Sequence, residues 1–276
     1  MKHLFISLLF FLQFLPAQIE PVKDIHINKP RVWALTHGMI HTEPGDFIKD
    51  GTIVIRDGKI EKVGRYIKVP LDAYEIDLEG AHVYAGFIDS WLTVKQDEKT
   101  TSPSQHWNSK IRADYRAKDD LKIKEKDLKA LHSVGMTAAH VVPEKGIIKG
   151  QSDLVVLSKE PVSVSESVAQ VLEFKASSWS DREYPNSLLG TIALIRQTIM
   201  DAEWYEKARA ITEKFPADNE PVKHDASLAA LEKFRANRLP MLFMTNHEHT
   251  AIRALNICDE FNLNPWLLGS GFEYRR

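Results

Sequence analysis

The sequence predicts an α/β protein in which a small β-rich unit precedes a longer region of alternating strands and helices. Between residues 31 and 82, short segments rich in β-branched residues are separated by Gly, Pro and Asp. After this unit, strand-like runs alternate with helix-like ones. The chain has 276 residues, 43% of them hydrophobic, which is enough for one large domain or two ordinary domains with packed cores.

The β-rich unit is predicted from four segments and one turn. Asp57-Gly58 is a hairpin signal, because both residues of such a turn must tolerate a positive φ. The run from His82 to Asp89 is mostly apolar and predicts a strand that is buried on both faces. The four segments are Val32 to Leu35, Thr52 to Arg56, Lys59 to Val63 and Tyr74 to Leu78.

The later region is predicted from hydrophobic spacing and helix caps. A long helix begins near Asn186, Asp225 caps a further helix, and Asn262 is a left-handed residue after the last helix. Such alternation favours a parallel sheet covered by helices, either a (β/α)₈-type barrel or an open doubly wound sheet. The other predicted elements are strands at Met136 to Val142, Leu154 to Leu157, Pro240 to Met244 and Pro265 to Leu268, and helices at Glu125 to Ser133 and through Ile252, Leu255 and Cys258.

Charge and cysteine content exclude several classes of protein. The 36 basic and 38 acidic side chains nearly balance, so neither nucleic acid nor an anionic membrane surface is an expected partner. Cys258 is the single cysteine, so no intrachain disulfide can form, and no placed base accompanies this residue as a nucleophile.

The first residues predict export. Lys2 precedes an apolar run from Leu4 to Phe14, and Ala17 ends the segment, so residues 1–17 are interpreted as a secretory signal peptide and residues 18–30 as a linker. The apolar run is shorter than the ~20 residues that a bilayer span needs. We therefore expect a periplasmic or extracellular protein without a membrane span after cleavage.

Three spaced motifs lie at Gly51 to Gly64, Ile76 to Gly80 and Gly86 to Asp89. Their order resembles the amidohydrolase superfamily, especially its imidazolonepropionase-like members. The resemblance implies that residues 31–85 form a portion of a β-sandwich and residues 86–276 an incomplete (β/α)₈ barrel of the TIM type. The missing part of the barrel would then be covered by the remainder of the same polypeptide or by a partner. Segments at Tyr184 to Gly190, Ile195 to Thr198, Asp201 to Tyr205 and Ala251 to Gly269 resemble a subgroup of large exported bacterial amidohydrolase-like proteins.

The metal motif of the resembled family is altered in this chain. The family binds one or two divalent metals such as zinc, through a His-x-His that follows Gly-Phe-Ile-Asp and one further residue. Here Trp91 and Thr93 stand at the two histidine positions after Asp89, and Met244 stands where a later strand can supply another histidine. The family's catalytic aspartate is expected to lie beyond Arg276. We therefore expect no metal cofactor in this chain.

Three histidines remain as weak candidates for a binding site. If a helix starts near Asn246, His247 and His249 point about 200° apart and cannot share an ion. His140 lies in a predicted strand, where a lone histidine is more often a hydrogen-bonded core residue than a ligand. Gly146 to Ser152 lacks the Gly-Lys-Ser/Thr ending of a phosphate loop and is interpreted as a loop between strands.

Two functions from different classes fit these observations. The chain is either the front of a longer exported enzyme that hydrolyses a C–N bond with a metal, or an enzyme-derived module that binds or assembles without catalysis. The altered motif favours absence of catalysis in this segment by itself. The pocket-forming loops carry no pattern that names a substrate.

We predict that the mature protein begins near Gln18 and lies outside the cytoplasm, because the apolar run and Ala17 fit a cleaved signal peptide. N-terminal sequencing of the exported fraction checks this prediction. Recovery of intact Met1 from that fraction would contradict it.

Overall fold

A computed structural model describes residues 30–95, 106–175, 183–217 and 219–275. The chain divides into two compact units, one ending at Ala85 and the other beginning at Gly86. The predicted signal peptide and all of the predicted linker except Pro30 lie outside the described residues.

In the first unit the described residues form one five-stranded sheet in the order β3-β2-β1-β4, with β5 paired to β1. The β2–β3 hairpin turns through Asp57 and Gly58, whose φ values of 49° and 77° confirm the predicted turn. Val32 and Ala34 of β1 and Val54 of β2 are buried, so alternate residues supply the core of this unit. The strands are β1 Val32–Glu43, β2 Asp46–Arg56, β3 Lys59–Arg65, β4 Tyr74–Asp77 and β5 His82–Val83.

The run from His82 to Asp89 is not the single, doubly buried strand that its apolar sequence predicted. It divides between β5, which pairs with β1, and β6 (Phe87–Val94), which belongs to the second unit. Phe87 and Ile88 are 64% and 58% exposed. The prediction was wrong because β6 is an edge strand, and apolar composition does not tell an edge from the middle of a sheet.

The second unit is built on a six-stranded mixed sheet in the order β11-β10-β9-β8-β7-β6, curled into a half-barrel. Strands β6, β7, β9, β10 and β11 run in one direction, and β8 lies antiparallel between β7 and β9. The strands after β6 are β7 Met136–Pro143, β8 Ile148–Val156, β9 Val162–Glu173, β10 Pro240–Met244 and β11 Asn264–Leu268.

The middle of this sheet differs from the predicted parallel alternation. Strand β9 had no counterpart in the sequence interpretation, and Ile148 to Ser152, interpreted as a loop, begin β8. Short turns join β7 to β8 and β8 to β9. With no helix between these strands, the periodicity that predicts parallel neighbours is absent here.

The helices follow the predictions more closely. α1 matches its predicted bounds, α3 is capped by the side chain of Asp225, and Asn262 after α4 has a φ of 50°. Within the described residues, no helix combines the length and the apolar character that crossing a membrane requires. The helices are α1 Glu125–Ser133, α2 Leu188–Lys214, α3 Ala226–Ala236 and α4 Glu248–Glu260.

The two faces of the curled sheet have different partners. Met241 and Phe243 of β10 are buried in the main core, together with residues of α2, α3 and α4. The alternate residues Leu242 and Met244 belong to a separate apolar cluster with strand residues only. Helices therefore cover the outer face, while the inner face packs on itself.

We predict that Asp225→Ala lowers the free energy of unfolding by about 1 kcal/mol, because its Oδ1 accepts the Leu228 N–H at 3.0 Å at the start of α3. Asp225→Asn is the matched control and is expected to retain most of the stability, because asparagine caps as well as aspartate. Urea unfolding measures both. An equal loss in the two variants would contradict a cap made by hydrogen bonding.

Candidate functional site

The candidate site lies on the inner face of the half-barrel, where the parallel strands end. Barrel enzymes place their active sites at the carboxyl ends of the strands. Three partly buried side chains from three strands border one apolar cluster on this face: Trp91 of β6, Met244 of β10 and Leu268 of β11. They pack against the buried residues Val142, Ala169, Val171 and Leu242.

A bulge in β6 sets the position of Trp91. Asp89 pairs with Ala139 and Leu92 with Val141, so Ser90 and Trp91 together stand opposite one residue of β7. Asp89 Oδ1 accepts the Trp91 N–H at 3.0 Å. The aspartate thus shapes the bulge through a local hydrogen bond.

Thr93, the second predicted motif position, is not part of the apolar cluster. It is exposed and lines an open cavity of about 370 Å³ together with Leu92, Leu121 and Leu131. Trp91 and Met244 thus border the same apolar cluster, whereas Thr93 lines this cavity.

His140 of β7 is hydrogen-bonded on both sides of its ring. Its Nδ1 lies 3.3 Å from the Ser90 carbonyl oxygen and its Nε2 lies 2.8 Å from Ser152 Oγ. In the neutral ring, Nδ1–H donates to the carbonyl and Nε2 accepts from the hydroxyl, which also accepts the Ala169 N–H. Burial lowers the pKa of His140, while the Ser90 carbonyl and the charge of Asp153 oppose this shift. The ring is therefore a structural link between β6, β7 and β8.

His247, Glu248 and His249 come together, contrary to the sequence argument. Each offers one ligand atom, and these atoms all lie within 4.8 Å of one another. The argument failed because α4 begins at Glu248 and His247 is its N-cap, with extended φ and ψ of −159° and 147°. The helical angle of about 100° per residue does not apply to a residue before the helix, and the two rings lie 5.0 Å apart.

Cys258 is not available as a nucleophile. Its side chain lies in the core beneath α4, and burial raises the pKa of the thiol to about 12. A thiol that stays protonated is a poor nucleophile.

Comparison with solved structures identifies the fold of this chain. No protein-family profile and no curated protein matches the sequence. The crystal structure of an amidohydrolase from Thermotoga maritima MSB8 matches 88% of this chain with a TM-score of 0.69 at 18% sequence identity. The chain has the amidohydrolase fold. At this identity the similarity establishes the fold alone, and it confirms at that level the resemblance carried by the motifs.

The chain spans 65% of the length of the Thermotoga amidohydrolase. Two further structures match 82% of this chain and 59% of their own. They are an amidohydrolase at 13% identity with a TM-score of 0.35 and a prolidase complexed with N-methylphosphonate-L-proline at 14% identity with a TM-score of 0.38. These two scores are too low to support an argument.

Sequence reasoning missed a charged pair at the same end of the amidohydrolase half-barrel. Lys149 is buried, and its Nζ lies 2.5 Å from Glu173 Oε2 and donates to the Glu144 carbonyl at 2.7 Å. Glu173 ends β9 opposite Met244, on the face that Val171 shares with the apolar cluster. The lysine thus neutralises a carboxylate beside this cluster. The sequence interpretation did not predict β9, so it could not place Glu173 at the end of a strand.

We predict that Trp91→Ala lowers the free energy of unfolding by about 2 kcal/mol, because it removes a partly buried aromatic side chain from the inner cluster. Trp204→Ala is the matched control, since Trp204 is 61% exposed on α2 and its loss is expected to cost under about 0.5 kcal/mol. Urea unfolding of both variants measures the difference. Equal effects would show that Trp91 is not a packing residue.

Proposed function

We propose that this chain is the N-terminal part of an exported amidohydrolase-family protein and that this segment is not catalytic by itself. The observation that carries the proposal is the apolar cluster of Trp91, Met244 and Leu268. Met244 and Leu268 end their strands, at the edge where a barrel enzyme positions its reacting groups, and Trp91 lies in the middle of β6.

The residues at these positions do not fit a divalent ion. Metal-dependent hydrolysis needs nitrogen, oxygen or thiolate ligands that leave one position open for an activated water. The indole of Trp91 offers a donor N–H and no lone pair, and Met244 offers a weak thioether. Thr93 is a neutral hydroxyl outside the cluster, and the carboxylate of Glu173 is held by Lys149. We therefore derive no catalytic step for this segment.

The parent protein is proposed to hydrolyse a C–N bond with a metal held in sequence other than this segment. The motif resemblance and the amidohydrolase fold support this reaction class. A match that spans 65% of the Thermotoga amidohydrolase is consistent with a segment of a larger enzyme. Residues 31–85 would then contribute part of a β-sandwich and residues 86–276 part of the barrel.

The exposed edge strands of the half-barrel are evidence that another segment or protein covers them. β6 and β11 are the two edge strands of the described sheet. Phe87 and Ile88 on β6, and Trp266 and Leu267 on β11, are all exposed by more than a third. Apolar edge strands in water promote association, so we propose that the remainder of the polypeptide or a partner covers them.

The same edges also fit a second function. An enzyme-derived module could present its exposed edge strands for assembly with a partner and carry out no reaction anywhere. Trp266 of β11, 43% exposed beside an unpaired backbone, favours such pairing.

We predict that the full chain, after dialysis against a strong chelator at neutral pH, retains well under one equivalent of zinc, manganese or iron. The physical reason is the absence of ligand atoms from the Trp91, Thr93 and Met244 positions. Elemental analysis of the protein measures the content.

The same protein dialysed without the chelator is the comparison, because an ion that exchanges freely is retained there and lost on chelation. A chelator-resistant ion in the unaltered chain would overturn the proposal.

A further inference from the structure

His247, Glu248 and His249 form a cluster that the proposed function does not use. It lies at the start of α4, just after β10, and therefore at the carboxyl end of a half-barrel strand. Both histidines are exposed, whereas the residue Glu248 is only 9% exposed. The cluster is thus open to solvent on its imidazole side and anchored on its carboxylate side.

Two acceptor atoms in the cluster are already spaced for one ion. His247 Nδ1 lies 3.2 Å from Glu248 Oε2. Ligands bound at about 2.1 Å around a single zinc ion lie roughly 3.0 to 3.5 Å apart, so this pair already has the spacing of two zinc ligands. The third ligand atom lies within 4.8 Å, and the exposed ring of His249 can close the remaining distance by rotating its side chain.

Hydrogen bonding leaves these two atoms without a proton between them. The His249 backbone N–H donates to His247 Nδ1 at 3.2 Å, so the proton of the neutral ring belongs on Nε2. That N–H occupies the one lone pair of Nδ1, so a cation bound at this atom replaces the capping hydrogen bond. The carboxylate of Glu248 supplies the negative charge of the cluster.

Two local charges oppose a cation here. The N-terminal end of α4 carries a partial positive charge. Arg275 also interacts electrostatically with Glu248. Glu248 offsets both in part, so binding should be exchangeable and weaker than at a buried structural zinc site.

We propose that His247, Glu248 and His249 bind one exchangeable divalent transition-metal ion of the zinc type at the mouth of the half-barrel. Two imidazoles and one carboxylate suit zinc, copper or nickel, whereas magnesium and calcium prefer oxygen ligands alone. Three protein ligands leave a fourth position open to water or to a ligand of the metal. The site is separate from the Trp91 and Met244 cluster and does not depend on the proposed function.

The test is titration of the full chain with Zn²⁺ by calorimetry, with Co²⁺ absorption as a second readout of the coordination. One equivalent is expected to bind, excess Mg²⁺ is expected not to compete, and a chelator is expected to remove the ion. His249→Ala and Glu248→Gln should each weaken binding at least tenfold. His249→Ala retains the backbone N–H that His247 caps, so α4 is expected to stay folded, and circular dichroism checks this.

Two controls separate this site from others. His224→Ala removes an exposed histidine outside the cluster and should leave binding unchanged. Arg275→Gln removes the neighbouring cation and should strengthen binding several-fold. Absence of binding, or binding that persists in folded His249→Ala, would overturn the inference. A chelator-resistant ion insensitive to His249→Ala would instead contradict the proposed function.

Discussion

The structure of the second unit depends on how the two faces of one curled sheet are buried. Met241 and Phe243 of β10 point to the outer face, where α2, α3 and α4 supply the main core. Leu242 and Met244 alternate to the inner face, where the described residues of their cluster all lie on strands. β10 therefore carries an apolar residue at every position. That requirement competes directly with placing polar ligands at the ends of the strands.

At the inner face this competition is resolved in favour of packing. Trp91, Met244 and Leu268 pack against the buried residues of the inner cluster. Two polar pairs lie nearby and bond within themselves: His140 with Ser152, and Lys149 with Glu173. The cluster thus joins residues of β6, β7, β9, β10 and β11 by packing.

The antiparallel strand β8 lies in the middle of the sheet, between β7 and β9. It holds the network of Asp153, whose buried carboxylate accepts from Arg116 at 3.1 Å and from the Ser167 N–H at 3.0 Å. Arg116 also lies 3.2 Å from Glu166, so the loop before α1 is held against β8 and β9 by shared charges. Such a bonded network stabilises this part of the sheet.

Local chemistry let the sequence determine much of this protein by itself. The turn at Asp57 and Gly58, the cap at Asp225 and the left-handed Asn262 each follow from the conformational range of one or two residues, and all three are present. The strand Pro240–Met244 was predicted with its correct bounds, because its apolar run is bordered by clear breaks. The motif resemblance also anticipated the amidohydrolase fold, although sequence comparison with families finds no match.

Tertiary structure decided what depends on neighbours distant in sequence. Only the sheet shows that Phe87 lies on an exposed edge strand and that Trp91 and Met244 border one apolar cluster, because pairing order is not encoded in local hydrophobicity. The closeness of His247 and His249 was also not expected from the sequence, which predicted that their rings point apart. Its geometry turns on whether the helix begins one residue earlier or later, and a helix boundary is the least certain part of any pattern, since the first residue is set by capping contacts rather than by periodicity.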